Sequence, residues 1–158
     1  MTVHTDGVTT IVAHHAELLM ALTARVDAVV AAARDDRPHQ PACAGLRTFL
    51  ESDLVPHARA EEEVLYAAAT DPTLRPLVTG MIFEHETLLG LAAELDHPSS
   101  AVDAAGTARA IKEVFAGHVR RENELLLPAL AADPTVDLPA LLPVMERRFT
   151  AYRSASIP

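Results

Sequence analysis

The 158-residue chain has a single cysteine, no tryptophan and only 4% aromatic residues. A lone thiol forms no internal disulfide, which fits a reducing cytoplasm. Cys43 itself reads as an inert small residue near a helix start. β-Branched residues are also sparse, while alanine and leucine dominate, which favours helices over sheet. Positive charge is short as well. Thirteen Lys and Arg against 22 Asp and Glu leave a formal net charge of -9. Such a balance weighs against nucleic acid and against an acidic membrane surface as partners. The amino terminus, MTVHTDGVTT, lacks a basic region followed by an apolar run, and no run is long enough to span a bilayer. The expectation is a cytoplasmic protein with no signal peptide and no membrane attachment.

What the chain does have is helix punctuation. The pattern predicts a first helix from about Val8 to Ala33, ending in RDDRPHQP. A second runs from about Ala42 to Ala69 behind Pro41. Asp71-Pro72 opens a third, with Asp as cap and Pro in its first turn, reaching about Leu95. Ser99 or Ser100 caps a fourth, which ends near Ala132. A shorter fifth spans about Asp137 to Tyr152. Pro56, Pro76 and Pro128 fall inside these spans and predict kinks or breaks. Four long helices with short polar links read as an all-α, up-down-up-down four-helix bundle, with the short fifth helix covering one end or side. One domain over 1–152 is expected, with its working core at 8–132 and a disordered tail at 153–158.

The apolar stripes carry residues that a plain core would not. At spacings of three and four, helix one presents Val8, Ile11, Val12, His15, Leu18, Leu19, Leu22 and Val26. Helix two presents Leu50, Leu54, His57, Glu61, Val64, Leu65 and Ala68. Helix three presents Val78, Met81, Ile82, His85, Leu88, Leu89 and Ala92. Helix four presents Ile111, Val114, Phe115, His118, Glu122, Leu125, Leu126 and Ala129. Four residues advance a helix about 40° past a full turn, so His57 shares a face with Glu61, and His118 with Glu122. Glu62 and Glu63 rotate away from Glu61 and are expected to be solvated or to flank the core.

The chain also repeats itself. HHAELL at 14–19 resembles EHETLL at 84–89, and HARAEEEVL at 57–65 resembles HVRRENELL at 118–126. Helices one and two thus correspond to helices three and four, and a pseudo-twofold bundle brings the two sets together. A single histidine on an apolar stripe is ordinarily a hydrogen-bonded core residue. Four in matched positions, two followed by glutamates that are costly to bury unpaired, argue for a metal. Internal His–Glu ion pairs without metal are the plain alternative. They explain helices two and four but leave His15 and His85 without a reason. Imidazole and carboxylate suit iron, manganese or zinc.

Neighbouring residues sort as follows. His14 lies about 100° off the stripe; the repeat pairs it with Glu84, and either could orient a ligand from behind. Tyr66 lies about half a turn of rotation from His57, which makes it a packing residue unless a bulge re-aims it. His4, His39 and His97 fall in a terminus or links and read as solvated. Glu94-x-x-His97 matches a ferritin-type ExxH signature, but it occurs once where two are needed.

These residues resemble the hemerythrin-like, HHE cation-binding family. The motifs are HxxxL at His15–Leu19, HxxxE at His57–Glu61, HxxxL at His85–Leu89 and HxxxE at His118–Glu122. Each is weak alone, but in this order they form a specific signal over residues 8–132. The resemblance implies a bundle enclosing two iron ions, oxo- or hydroxo-bridged. It makes His15, His57, His85 and His118 terminal ligands and Glu61 and Glu122 bridges. Two departures from the oxygen-carrying hemerythrins stand out. Leu89 occupies the place of a further histidine, and the last bridge is a glutamate four residues after its histidine, not an aspartate five after. More open coordination positions follow, which disfavours simple oxygen carriage. The resemblance then implies binding or turnover of O2, hydrogen peroxide or nitric oxide, including catalase-like activity. An iron- or oxygen-sensing module without turnover is the alternative. The chain is expected as a monomer or homodimer, the fifth helix offering a cover or a dimer seam.

Overall fold

The computed structural model describes residues 3–155, with side chains from Gly7 onward. The side chain of His4 and the last three residues of the expected tail therefore lie outside what is described. Among the described residues there are no strands, and five helical rods pack into a bundle. The first rod is α1 (Val3–Arg34). The second is built from α2 (Gln40–Phe49), a π-helical turn at Leu50–Leu54, α3 (Val55–Ala60) and a second π-helical turn at Glu61–Tyr66. A 3-10 turn at Pro72–Leu74 leads into the third rod, α4 (Arg75–Glu94). The fourth comprises α5 (Ala101–Arg121), a π-helical turn at Glu122–Leu126 and α6 (Leu127–Ala132). The fifth is α7 (Leu138–Ala155).

The caps follow from side-chain chemistry. Asp71 accepts from the backbone N–H of Thr73, and Ser100, not Ser99, accepts from that of Asp103, satisfying donors that a helix start leaves open. Pro76 sits in the first turn of α4 and breaks nothing. Pro56 and Pro128 fall two residues after a π turn. Proline lacks an N–H and crowds the carbonyl four residues back. The wider i→i+5 turn just ahead of each accommodates that conflict within a continuous rod. The α7 helix runs on to Ala155, past the expected end at Tyr152, and Arg153 pairs with Asp53 at 3.2 Å.

The core falls into two apolar clusters. One gathers Leu18, Leu22, Leu46, Leu50, Leu54, Leu88, Ile111 and Phe115. The other gathers Ile11, Leu65, Tyr66, Met81, Leu126, Leu127 and Leu130. Along each rod the chain crosses from one cluster to the other through a buried polar residue: His15, His57 with Glu61, His85, or His118 with Glu122. Two stripe residues are not core. Leu89 and Leu125 are about half exposed. Leu125 lies within the π turn at Glu122–Leu126, where the wider turn shifts it off the α-helical stripe. Leu89 faces the groove between α4 and the second rod.

The α7 helix packs across α1 and α3 along one side of the bundle. It approaches α1 closely at Gly7, where an added Cβ would lie 3.4 Å from Leu138 Cβ. The pairs Arg148–Glu63 (3.2 Å) and Tyr152–Glu63 tie its far end to the second rod.

Candidate metal centre

Six polar side chains meet between the two apolar clusters, and all are at most 5% exposed: His15, His57, Glu61, His85, His118 and Glu122. Glu61 stands at the middle. Its Oε1 lies 2.7 Å from His57 Nε2 and 3.1 Å from His15 Nε2. Its Oε2 lies 3.7 Å from His85 Nε2 and 3.9 Å from His118 Nε2. Two groups of metal-ligand type, His15–His57–Glu61 and Glu61–His85–His118, thus share one carboxylate. The Oε2 of Glu122 lies 3.3 Å from His15 Nε2 and 3.8 Å from His118 Nε2, spanning the same two groups.

The back of the site fixes the tautomers. His85 Nδ1 donates to Glu62 Oε1 at 2.7 Å, and His118 Nδ1 donates to Glu84 Oε2 at 3.0 Å. A carboxylate only accepts, so in each ring the proton resides on Nδ1. His15 Nδ1 donates likewise to Asn123 Oδ1 at 2.7 Å. Each neutral ring then turns a bare Nε2 lone pair inward. Yet His85 Nε2 and His118 Nε2 stand only 3.1 Å apart. Two lone pairs at that separation repel unless a cation lies near both or one ring is charged. Other atoms point the same way. His57 Nε2, Glu61 Oε2 and both oxygens of Glu122 are buried without an aligned hydrogen-bond partner, a costly state for polar atoms. This donor set fits divalent or trivalent cations held by imidazole nitrogen and carboxylate oxygen.

Electrostatics separate the two glutamates. Burial alone would raise both. Glu61 nevertheless lies well below its ordinary value, because the histidines around it, His57 first, favour its ionised form and outweigh burial. Glu122 lies well above, raised by burial and then by the charge of Glu61. His85 is lowered by burial and by His118. Without cations the site therefore disfavours the ionised form of Glu122, which a bound cation would favour.

The second half of the repeat repeats the support. Glu62 and Asn123 each follow an inward glutamate, and each holds the histidine of an HxxxL motif, His85 and His15 respectively. Glu84 holds His118 and pairs with Arg121. Its counterpart, His14, packs its ring 5.0 Å from that of His57. Glu62 thus flanks the core with a definite task, while Glu63 is exposed and bonds to α7. Tyr66 packs in the core, and it is also the residue that a bulge re-aims. The π turn at Glu61–Tyr66 inserts an extra residue and turns Tyr66 inward by about 100° relative to an α-helix. Its ring stacks on His85, and its hydroxyl lies 3.3 Å from His118 Nε2. Burial, then the charges of Glu61 and Glu122, raise that hydroxyl far above its ordinary value, so it stays protonated. Asn123 was not singled out by the stripes; its register one residue after Glu122, matched to Glu62, was the available signal. His39 is half-buried and His97 exposed, both away from the site.

The chain matches the Hemerythrin HHE cation binding domain over residues 6–130. The chain belongs to that family. No curated protein and no solved structure matches it. The protein is an HHE cation-binding bundle whose buried His/Glu cluster has the form of a binuclear cation site. No helix among the described residues is long and apolar enough to cross a membrane.

Proposed function

We propose that the chain is a non-haem di-iron protein that binds or reacts with O2, hydrogen peroxide or nitric oxide. In this reading His15, His57, His85 and His118 are terminal ligands, and Glu61 and Glu122 span the pair. The observation that carries it is the opposition of two Nδ1-protonated rings, His85 and His118, with Nε2 atoms 3.1 Å apart beside a carboxylate shared with His15 and His57. Iron held there would supply one-electron redox chemistry toward a small ligand.

The chain's own residues do the rest. Glu61 and Glu122 offset part of the cation charge. Glu62, Glu84 and Asn123 lock the ring orientations from behind, support that typically carries a 10–100-fold share of metal affinity. The apolar clusters on either side keep bulk water out. Tyr66 holds a proton at its hydroxyl within the site. A groove of about 170 Å³ between α4 and the second rod, floored by Leu50, Leu54, Ile82 and Leu88, reaches His85. Its apolar walls and small volume suit a diatomic gas or peroxide.

The test is to load the purified protein with Fe(II) under nitrogen and add O2, hydrogen peroxide and nitric oxide separately, following absorption and gas evolution. Ligand-dependent spectral change with at least one reagent, lost in Glu61→Ala, is expected. An iron-loaded spectrum indifferent to all three would overturn the reactive reading and leave a metal-binding module.

A further inference from the structure

The match to the family ends at residue 130, and α7 lies beyond it. Between α7, α1 and α3 lies a cleft of about 670 Å³. Its wall on one side is Leu142, Pro143, Met145 and Phe149 of α7, and on the other Ile11 and Ala60. His57 and His14 form its inner end. Three features set it apart from the groove at His85. It is about four times larger, within the 300–1,000 Å³ range of sites for drug-sized organic molecules and far beyond the need of a diatomic ligand. It exists only because α7 is present. And its lining includes two carboxylates, Glu17 and Glu146, but no lysine or arginine. Arg148 and Arg153 of α7 are turned to Glu63 and Asp53 instead.

We infer that this cleft is a binding site for an apolar organic cation, an aromatic or aliphatic amine, seated between α7 and the bundle with its charge toward Glu17 and Glu146. Apolar walls supply the bulk of such binding, and a few charged groups set its sign. Neither carboxylate has an ion-pair partner among the described residues, although Glu17 lies near enough to His14 to act on its charge, so both stand open to a ligand ammonium. The inner end at His57 puts the bound molecule against a residue of the proposed metal centre. Occupancy would therefore also register there as a spectral shift of the loaded protein.

The probe pair is 2-(1-naphthyl)ethylammonium and 1-naphthylacetate, of similar size and opposite charge, titrated calorimetrically against the full chain with metal content measured in the same samples. The expected result is one ammonium site per chain, with the carboxylate weaker by about tenfold. The double change Glu17→Gln/Glu146→Gln should close most of that gap while leaving the ring affinity. Ala13→Trp, which fills the cleft from α1, should abolish binding of both. Equal affinity for the two probes, no saturable binding, or binding untouched by Ala13→Trp would each overturn the inference. Because the cleft is read by probe binding and the centre by bound metal, either can fail without the other.

Discussion

Glu61 and Glu122 occupy matched positions in the two halves of the chain, yet their surroundings push them in opposite directions. Linkage fixes the sign of each in the metal-free protein. Glu61, depressed, contributes stability above the ordinary carboxylate value and loses it as acid protonates the folded form. Glu122, raised, holds its proton where the unfolded chain has given it up. Its contribution is whole below the ordinary value of 4.5 and is lost as pH rises toward its folded value. Glutamine imitates the protonated glutamate. Glu122→Gln should therefore stabilise the chelated protein at neutral pH by about 1–3 kcal/mol, or about 2–4 °C in melting temperature per kcal/mol, with no gain near pH 4. The same change should weaken metal binding. Urea melts of chelated wild type and variant at the two pH values decide it; equal midpoints at neutral pH would contradict the assignment. At this scale the six inward residues were legible from spacing because four residues nearly complete a helical turn. Glu62 and Asn123 were harder to read. Their work is on the back of a histidine from another helix, and no single stripe records that.

At the scale of elements, the π turns decide which side chains reach the centre. One begins at Glu61 and one at Glu122, so each inward glutamate opens a turn with one residue more than an α-helix holds. Helical periodicity assumes a constant 100° per residue. It therefore placed Tyr66 on the far side and Leu125 in the core, and both placements reverse after an inserted residue. Pro128 held a clue to the turn at Glu122, since it needs relief just upstream, but Pro56 marks the separate π turn at Leu50–Leu54, and no proline follows the turn at Glu61 closely enough to announce it. Excising Glu63 removes the inserted residue, so 61–66 should return to α register with Leu65 and Tyr66, now three and four residues after Glu61, still facing the core. The expected cost is about 1 kcal/mol or less, that of the lost bonds to Arg148 and Tyr152. Glu63→Ala, which loses the same bonds and keeps the π turn, should cost about as much. A denaturation midpoint for the excision far below that of the alanine variant would show that the π turn does not absorb one inserted residue.

At the scale of the molecule, two apolar clusters clamp a polar layer, and α7 closes one side while leaving a cleft. The bundle could be read from four amphipathic stripes and short links. The cleft could not, since DLPALLPVMERRFTAY is compatible with a cover, an end cap or a dimer seam, and only packing against α1 and α3 distinguishes them. Buried imidazoles and carboxylates this numerous should make the fold depend on bound cation, because ligands that bind the folded state stabilise it by mass action. The most direct test is metal stoichiometry by elemental analysis after Fe(II) reconstitution and desalting, for wild type and for Glu61→Ala, with thermal melts before and after chelation. Two ions per wild-type chain, at most one in Glu61→Ala, and a melting temperature that falls on chelation are predicted. A wild-type chain that retains no metal and melts at the same temperature with or without chelator would contradict the binuclear centre and leave a bundle held by internal His–Glu pairs.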